Sequence, residues 1–153
     1  MKVFVSSSTR KTQHFAKQFA RDIATSRKEA RGALVVGLQG PLGSGKTTFA
    51  QGFAQGLGVT EKILSPTFVI IKKYKIPDSG SSFHMLYHID CYRIEDAKDI
   101  LELGWEEIVS DPKHIVLVEW PERIQKILPK DAPWLSFSHE GAGRRAIIRS
   151  EAG

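Results

Sequence analysis

The sequence predicts an α/β fold, a three-layer sandwich with a mixed central sheet, and three observations carry that prediction. Short apolar runs alternate along the chain with stretches of helical periodicity, the pattern of interleaved strands and helices. Ala33 to Leu38 is apolar throughout, as a strand buried in a parallel sheet must be. A glycine-rich segment follows that run and leads straight into an amphipathic stretch.

Each element has its own signal. Residues 10–26 carry Phe15, Phe19 and Ile23 at four-residue spacing, with Ala16 and Ala20 beside them, which is one apolar face of a helix. Lys46 to Leu57 reads as a second helix, with Phe49, Phe53 and Leu57 on one face and Gly58 as its stop. Thr67 to Ile76 and Phe83 to Ile89 are β-rich and flank a turn cluster, Asp78 to Ser82, so the two runs are expected to pair as a hairpin. Ile94 to Leu103 reads as a helix ended by Gly104, and Ile115 to Val118 as a short apolar strand. Pro121 suits the first turn of a helix running to Leu128, because proline lacks only an N–H that has no partner there. Trp134 to Phe137 and Ala146 to Ile148 read as terminal strands around a Gly141–Gly143 turn.

Composition sets bounds on function. The chain has 153 residues, 41% hydrophobic and 25% charged, as expected of one soluble globular domain over residues 1–153. Cys91 is the single cysteine, which excludes an internal disulfide and a multi-cysteine metal site. No apolar run approaches the roughly 20 residues of a membrane span. Met1 to Arg10 lacks the apolar stretch of a secretory signal, and the expected address is the cytoplasm. The net charge of +5 is a mild pointer to a phosphate-bearing partner. The basic residues fall in small groups, Arg27, Lys28 and Arg31; Lys72, Lys73 and Lys75; Arg144, Arg145 and Arg149, a pattern more typical of solvated faces than of a nucleic-acid site.

The chemistry concentrates at Gly40-Pro41-Leu42-Gly43-Ser44-Gly45-Lys46-Thr47. Glycine, four residues, then Gly-Lys-Thr is the phosphate-loop pattern. Glycines let the backbone curl so that successive N–H groups face one anion, and the helix that follows offers its positive end to it. Lys46 would reach the β- and γ-phosphates, and the Thr47 hydroxyl would ligate magnesium. Such a loop makes the expected fold P-loop NTPase-like. Its metal needs an acidic partner at the end of a neighbouring strand, and Ile115-Val116-Leu117-Val118-Glu119 supplies one in Glu119. Three roles stay open for Glu119: holding magnesium directly, holding it through water, or orienting the attacking water.

His88-Ile89-Asp90-Cys91-Tyr92-Arg93 is the third cluster. Its place at a strand's end puts Asp90 on a loop at the sheet edge, close enough to contact magnesium or polarise a nucleophile. The bland reading is equally open: a His88–Asp90 surface pair, with Tyr92 in the core and Arg93 solvated. The chain contains no asparagine, so the Asn-Lys-x-Asp element that reads guanine cannot occur, and ATP is favoured.

Taken together these segments resemble one family, the bacterial TsaE (YjeE-type) ATPases of tRNA threonylcarbamoyladenosine synthesis. The matching pieces are Gly40 to Thr47, Ser65-Pro66-Thr67-Phe68, His88 to Arg93, and Glu119-Trp120-Pro121-Glu122-Arg123. Pro41 departs from the family, which commonly carries an acidic residue before Leu42. The resemblance implies a Mg2+-dependent ATPase, weak alone, that docks on the TsaD–TsaB pair, with tRNA contacted weakly or indirectly. TsaD–TsaB places threonylcarbamoyl on adenosine 37 of tRNAs reading codons that begin with A.

By the same resemblance the nucleotide is met by Pro41, Leu42, Gly43, Ser44, Gly45, Lys46, Thr47 and Thr48. Thr47 and Glu119 hold magnesium, and Lys46, Asp90 and Glu119 are the catalytic set. Ser65 and Thr67 form a further loop by the nucleotide, Trp120 serves the site or its docking surface, and the adenine end meets Thr12, Glu122 and Arg144. Two other readings compete: a small-molecule kinase using Asp90 as base and Arg93 as phosphate clamp, and a non-catalytic module switched by nucleotide. Ser65-Pro66-Thr67 as a plain turn, and Trp120 as a core or interface aromatic, also remain open.

Overall fold

The computed structural model describes residues 2–26, 31–64, 70–77 and 82–150. The elements, in chain order, are β1 (Lys2–Ser6), α1 (Thr9–Ser26), β2 (Leu34–Gln39), α2 (Lys46–Gly56), β3 (Ile71–Lys75), β4 (Met85–Asp90), α3 (Ala97–Leu101), α4 (Trp105–Ser110), β5 (His114–Glu119), a 3-10 helix (Pro121–Ile127), β6 (Trp134–His139) and β7 (Arg145–Ser150).

The strands form one seven-stranded sheet in the order β1-β7-β6-β2-β5-β4-β3. β2 lies between β5 and β6 and is parallel to both, and β4 is parallel to β5. The outer pairs β3–β4, β6–β7 and β1–β7 are antiparallel. The sheet is therefore mixed, as expected, and β3–β4 and β6–β7 pair antiparallel as the sequence indicates, while residues 78–81 of the expected turn cluster lie outside the described residues.

Alternate residues of each central strand serve two cores. Leu34, Val36 and Leu38 of β2 pack with Ile115 and Leu117 of β5 and Leu86 of β4 under Phe19, Phe49 and Phe53 of α1 and α2. Val35, Val116, Val118 and Ile89 face the other way, onto Ile100, Trp105, Ile108 and Ile124. Two covered faces explain why β2 and β5 read as unbroken apolar runs. Phe49 has no exposure and joins the layers, with its ring centroid 5.9 Å from that of Phe19 and 5.5 Å from that of Phe137 on β6.

α1 and α2 meet almost backbone to backbone. A Cβ on Gly52 would stand 2.4 Å from the Gln13 carbonyl oxygen, and one on Gly56 would stand 2.5 Å from that of Lys17. Four residues apart, these glycines lie on one helix face and cut a flat strip into α2. Gly37 does the same on β2, where a Cβ would crowd Pro121 and Trp134 at 3.0–3.1 Å.

Four expectations need correction. β1 is present although nothing local announced it; among the described residues its five residues pair with β7 alone, far along the chain. The stretch from 94 is two short helices, and Gly104, at φ +93, precedes α4 as its N-cap residue. The segment from Pro121 is a 3-10 helix whose Ile124 leaves helical geometry at φ −126, ψ 26. Asp90 is not at the sheet edge, because β3 is the edge strand and β4 lies inside it.

Cys91, just past β4, is fully buried in the second core. Burial pushes its thiol pKa up to about 12. No helix among the described residues is long and apolar enough to cross a membrane.

The glycine strip makes a prediction about stability. Gly52→Val forces α1 away from α2, and a loss of about 1–3 kcal/mol, typical of overpacking, is expected. Equilibrium urea unfolding measures it; an unchanged midpoint would show that the two helices separate without cost.

Candidate functional site

The parallel register fixes where the site falls. Leu38 pairs with Glu119, and Glu119 pairs with Asp90. The carboxyl ends of β2, β5 and β4 therefore lie side by side, where open α/β sheets place their ligands. Asp90 and Glu119 share the strand face covered by α2, since Leu86, Ile115 and Leu117 of the same parity belong to that core. The loop after β2 then delivers the start of α2 to the same place.

A cavity of about 450 Å3 opens there, within the roughly 300–1,000 Å3 usual for small-molecule sites. It is lined by Leu42, Gly43, Gly45, Lys46, Thr47 and Thr48 from the loop and α2, Asp90, Tyr92 and Arg93 after β4, Glu119 and Trp120 after β5, and Arg145 from β7. Its charges are three basic side chains and two acidic ones.

The loop is shaped for an anion. Gly43 and Gly45 have φ of +75 and +105, values that only glycine adopts freely. Gly45 caps α2 with no side-chain hydrogen bond, and the first turn holds no acidic residue. Its unpaired amides and positive dipole end are left for a bound anion. The Ser44 hydroxyl is buried with no hydrogen-bond partner.

Lys46 is only 5% exposed. Its Nζ donates to the Gly40 carbonyl at 2.6 Å and lies 4.0 Å from the centre of the Trp120 ring. Burial pulls its pKa below the usual lysine value, while Glu119, Asp90 and Glu122 pull it back up. Trp120 holds left-handed backbone, φ 59 and ψ 51, rare for a bulky residue. Its N–H donates to the Leu38 carbonyl at 3.2 Å. The strain turns the indole over Lys46 and against Tyr92, whose ring centroid is 5.1 Å away.

Glu119 is 4% exposed and has its Oε2 2.6 Å from Nε2 of His88, which has no exposure at all. The surface His88–Asp90 pair is thus overturned: the histidine is interior and its partner is Glu119. Asp90 instead accepts a hydrogen bond from the Tyr92 N–H at 2.9 Å. Burial raises its pKa above the usual carboxylate value, partly offset by that bond, and the nearby Glu119 charge adds to the rise. Tyr92 is 40% exposed, not a core residue.

Of the residues expected at the site, the cavity brings together Leu42, Gly43, Gly45, Lys46, Thr47, Thr48, Asp90, Glu119 and Trp120. Pro41 is exposed and Ser44 lies beneath the loop. Thr12 is buried, with its hydroxyl 2.7 Å from that of Ser6, and is not on the cavity wall. Glu122 is also off the wall, with a buried Oε1 lacking a hydrogen-bond partner. The basic residue at this end is Arg145, not Arg144, which is exposed. A Cβ on Gly45 would lie 3.1 Å from the Arg145 guanidinium. Arg144 precedes β7, whereas Arg145 is its first residue and shares the strand face of Ile147, which packs in the core under α1 and α2. Ser65 and Thr67 lie outside the described residues.

Comparison with known proteins gives the family. A family model described as threonylcarbamoyl adenosine biosynthesis protein TsaE matches residues 6–147. The chain belongs to the TsaE family. The TsaE match runs from the end of β1 into β7 and contains every residue of the cavity wall. The tRNA threonylcarbamoyladenosine biosynthesis protein TsaE of Bacillus subtilis (strain 168) is 40% identical over 119 residues, which is 78% of this chain and 70% of that protein. The protein of the same name from Treponema pallidum (strain Nichols) is 37% identical over 113 residues, 74% of this chain and 78% of that one. The crystal structure of Bacillus subtilis YdiB superposes with a TM-score of 0.72 at 30% identity, covering 99% of this chain and 86% of that one. The fold is that of a TsaE protein, P-loop NTPase-like, as the sequence predicts.

The raised pKa of Asp90 sets a pH dependence. A carboxyl whose pKa rises on folding holds its proton more tightly in the folded state, so stability falls as pH climbs above the unfolded value, near 3.8. Asp90→Asn keeps the acceptor for Tyr92 and removes the charge. It is expected to melt at a higher temperature than the parent at pH 7, the gap closing as pH falls toward about 4. Melting curves across that range check it; a lower melting temperature at pH 7 would contradict the burial cost.

Proposed function

We propose that this chain binds ATP with Mg2+ and hydrolyses it in support of the TsaD–TsaB pair. That pair would form N6-threonylcarbamoyladenosine at position 37 of tRNAs reading codons that begin with A. One observation carries the reading: an uncapped α2 start bearing Lys46, and the Glu119 carboxylate, line the same cavity. The names of the family and of its relatives, threonylcarbamoyladenosine biosynthesis proteins, support the pathway.

The residues present suit the expected groups. Thr47 and Glu119, a hydroxyl and a carboxylate in one cavity, are oxygen donors of the kind magnesium takes. Magnesium, when bound, supplies charge neutralisation on the β- and γ-phosphate oxygens. The first-turn amides of α2 and the Lys46 ammonium bind the phosphates. Lys46 exchanges the Gly40 carbonyl for a phosphate oxygen, a charge-assisted bond stronger than the neutral one it leaves. Arg145, beside Gly45, adds positive charge from the β7 side. Asp90, beside Glu119 in register, orients the attacking water, its raised pKa suiting it as a base. Trp120 screens Lys46 from water. Turnover alone is slow, and the docked partners complete the site.

The test is phosphate release from ATP by the chain with TsaD and TsaB present. Lys46→Ala and Glu119→Gln are expected to lower the rate roughly 100-fold or more, the scale for losing a main electrostatic group, with the fold intact by circular dichroism. Labelled phosphate appearing on a small acceptor would make the chain a kinase, and ATP binding without phosphate release would make it a nucleotide-switched module. Unaltered threonylcarbamoyladenosine in tRNA from cells without this protein or a paralogue would sink the pathway assignment.

A further inference from the structure

We infer that His88 is a positioning residue for Glu119 and selects which carboxylate oxygen is presented to the cavity. The inference rests on the proposed function, in which Glu119 holds magnesium.

His88 is completely buried, its Nε2 is 2.6 Å from Oε2 of Glu119, and its Nδ1 is buried with no hydrogen-bond partner. A carboxylate oxygen accepts, so at this distance the Nε2–H of His88 donates to Oε2 of Glu119. His88 thus serves as a fixed donor.

Strand register explains why the donor stands at this position. Asp90 is opposite Glu119 and His88 is opposite Leu117. His88 is therefore the diagonal neighbour of Glu119 on the same sheet face, within reach of a ring-bearing side chain. The bond occupies Oε2. Glu119 lines the cavity and is almost wholly buried, so Oε1 is the oxygen left to face a ligand. A free glutamate would spread that oxygen over several rotamers; tethering Oε2 removes this freedom before any cation arrives. Partners that hold a metal ligand in place are worth about 10- to 100-fold in metal affinity.

The experiment is calorimetric titration of the full chain with the non-hydrolysable ATP analogue AMPPNP, with and without Mg2+, for the parent, His88→Leu and His88→Gln, beside melting curves. The leucine variant is expected to need about 10- to 100-fold more Mg2+ for tight binding, with Mg2+-free affinity unchanged. Glutamine carries an amide N–H at a similar reach and is expected to restore most of the loss. A purely structural histidine would instead weaken binding with and without Mg2+ in step with a fall in melting temperature. Parental Mg2+ dependence in His88→Leu, or a folded His88→Gln as impaired as the leucine variant, overturns the inference alone. If His88→Leu does not fold, the glutamine variant decides: near-parental Mg2+ affinity supports the role, and a large loss overturns it. A parent chain whose AMPPNP binding ignores Mg2+ overturns the proposed function and this inference together.

Discussion

The parallel ladder of β2, β5 and β4 is the constraint on which the site depends. It brings Leu38, Glu119 and Asp90 into line across three strands, though they are far apart in the chain. A slip of one residue in either pairing would turn Glu119 or Asp90 to the opposite face. The ladder is held by apolar side chains on both faces, Leu38, Leu117 and Phe49 on one, Val118, Ile89 and Ile124 on the other. Packing thus fixes the positions of the polar groups at the strand ends.

Glycines do a complementary job. The α1–α2 approach at Gly52 and Gly56 seats α2 firmly against its neighbour, and the cavity is built on the first turn of α2. The loop that precedes it is shaped by the positive φ of Gly43 and Gly45. The flat helix face and the curled loop are consecutive stretches of chain, one meeting protein backbone and the other left open for an anion.

Much of this was legible in the sequence, for identifiable reasons. The glycine loop, Lys46 and Thr47 form a contiguous motif, and the Ile115–Glu119 run ends in a single carboxylate, so local pattern sufficed. α1 and α2 were legible because Phe15, Phe19 and Ile23 in one, and Phe49, Phe53 and Leu57 in the other, recur at four-residue spacing. What escaped depends on distant segments meeting. β1 exists through pairing with β7, and the choice of Arg145 over Arg144 follows from where β7 begins. The His88–Glu119 contact spans 31 positions of chain, and no local signal announces it. α4 has six residues, too few to establish a period. The tilt of Trp120 over Lys46 needs left-handed backbone at a bulky residue, which propensity argues against. Such local conflict is commonest where a structure serves a purpose other than stability.

The setting of Cys91 has a chemical consequence. It is the chain's single cysteine, buried, with a pKa pushed up to about 12. Burial keeps the thiol out of its anionic form, and oxidants and alkylating agents attack the anion, so the folded chain shields Cys91 from both. Labelling at Cys91 would report transient opening of the second core, so thiol trapping doubles as a clock for how often that half of the molecule breathes.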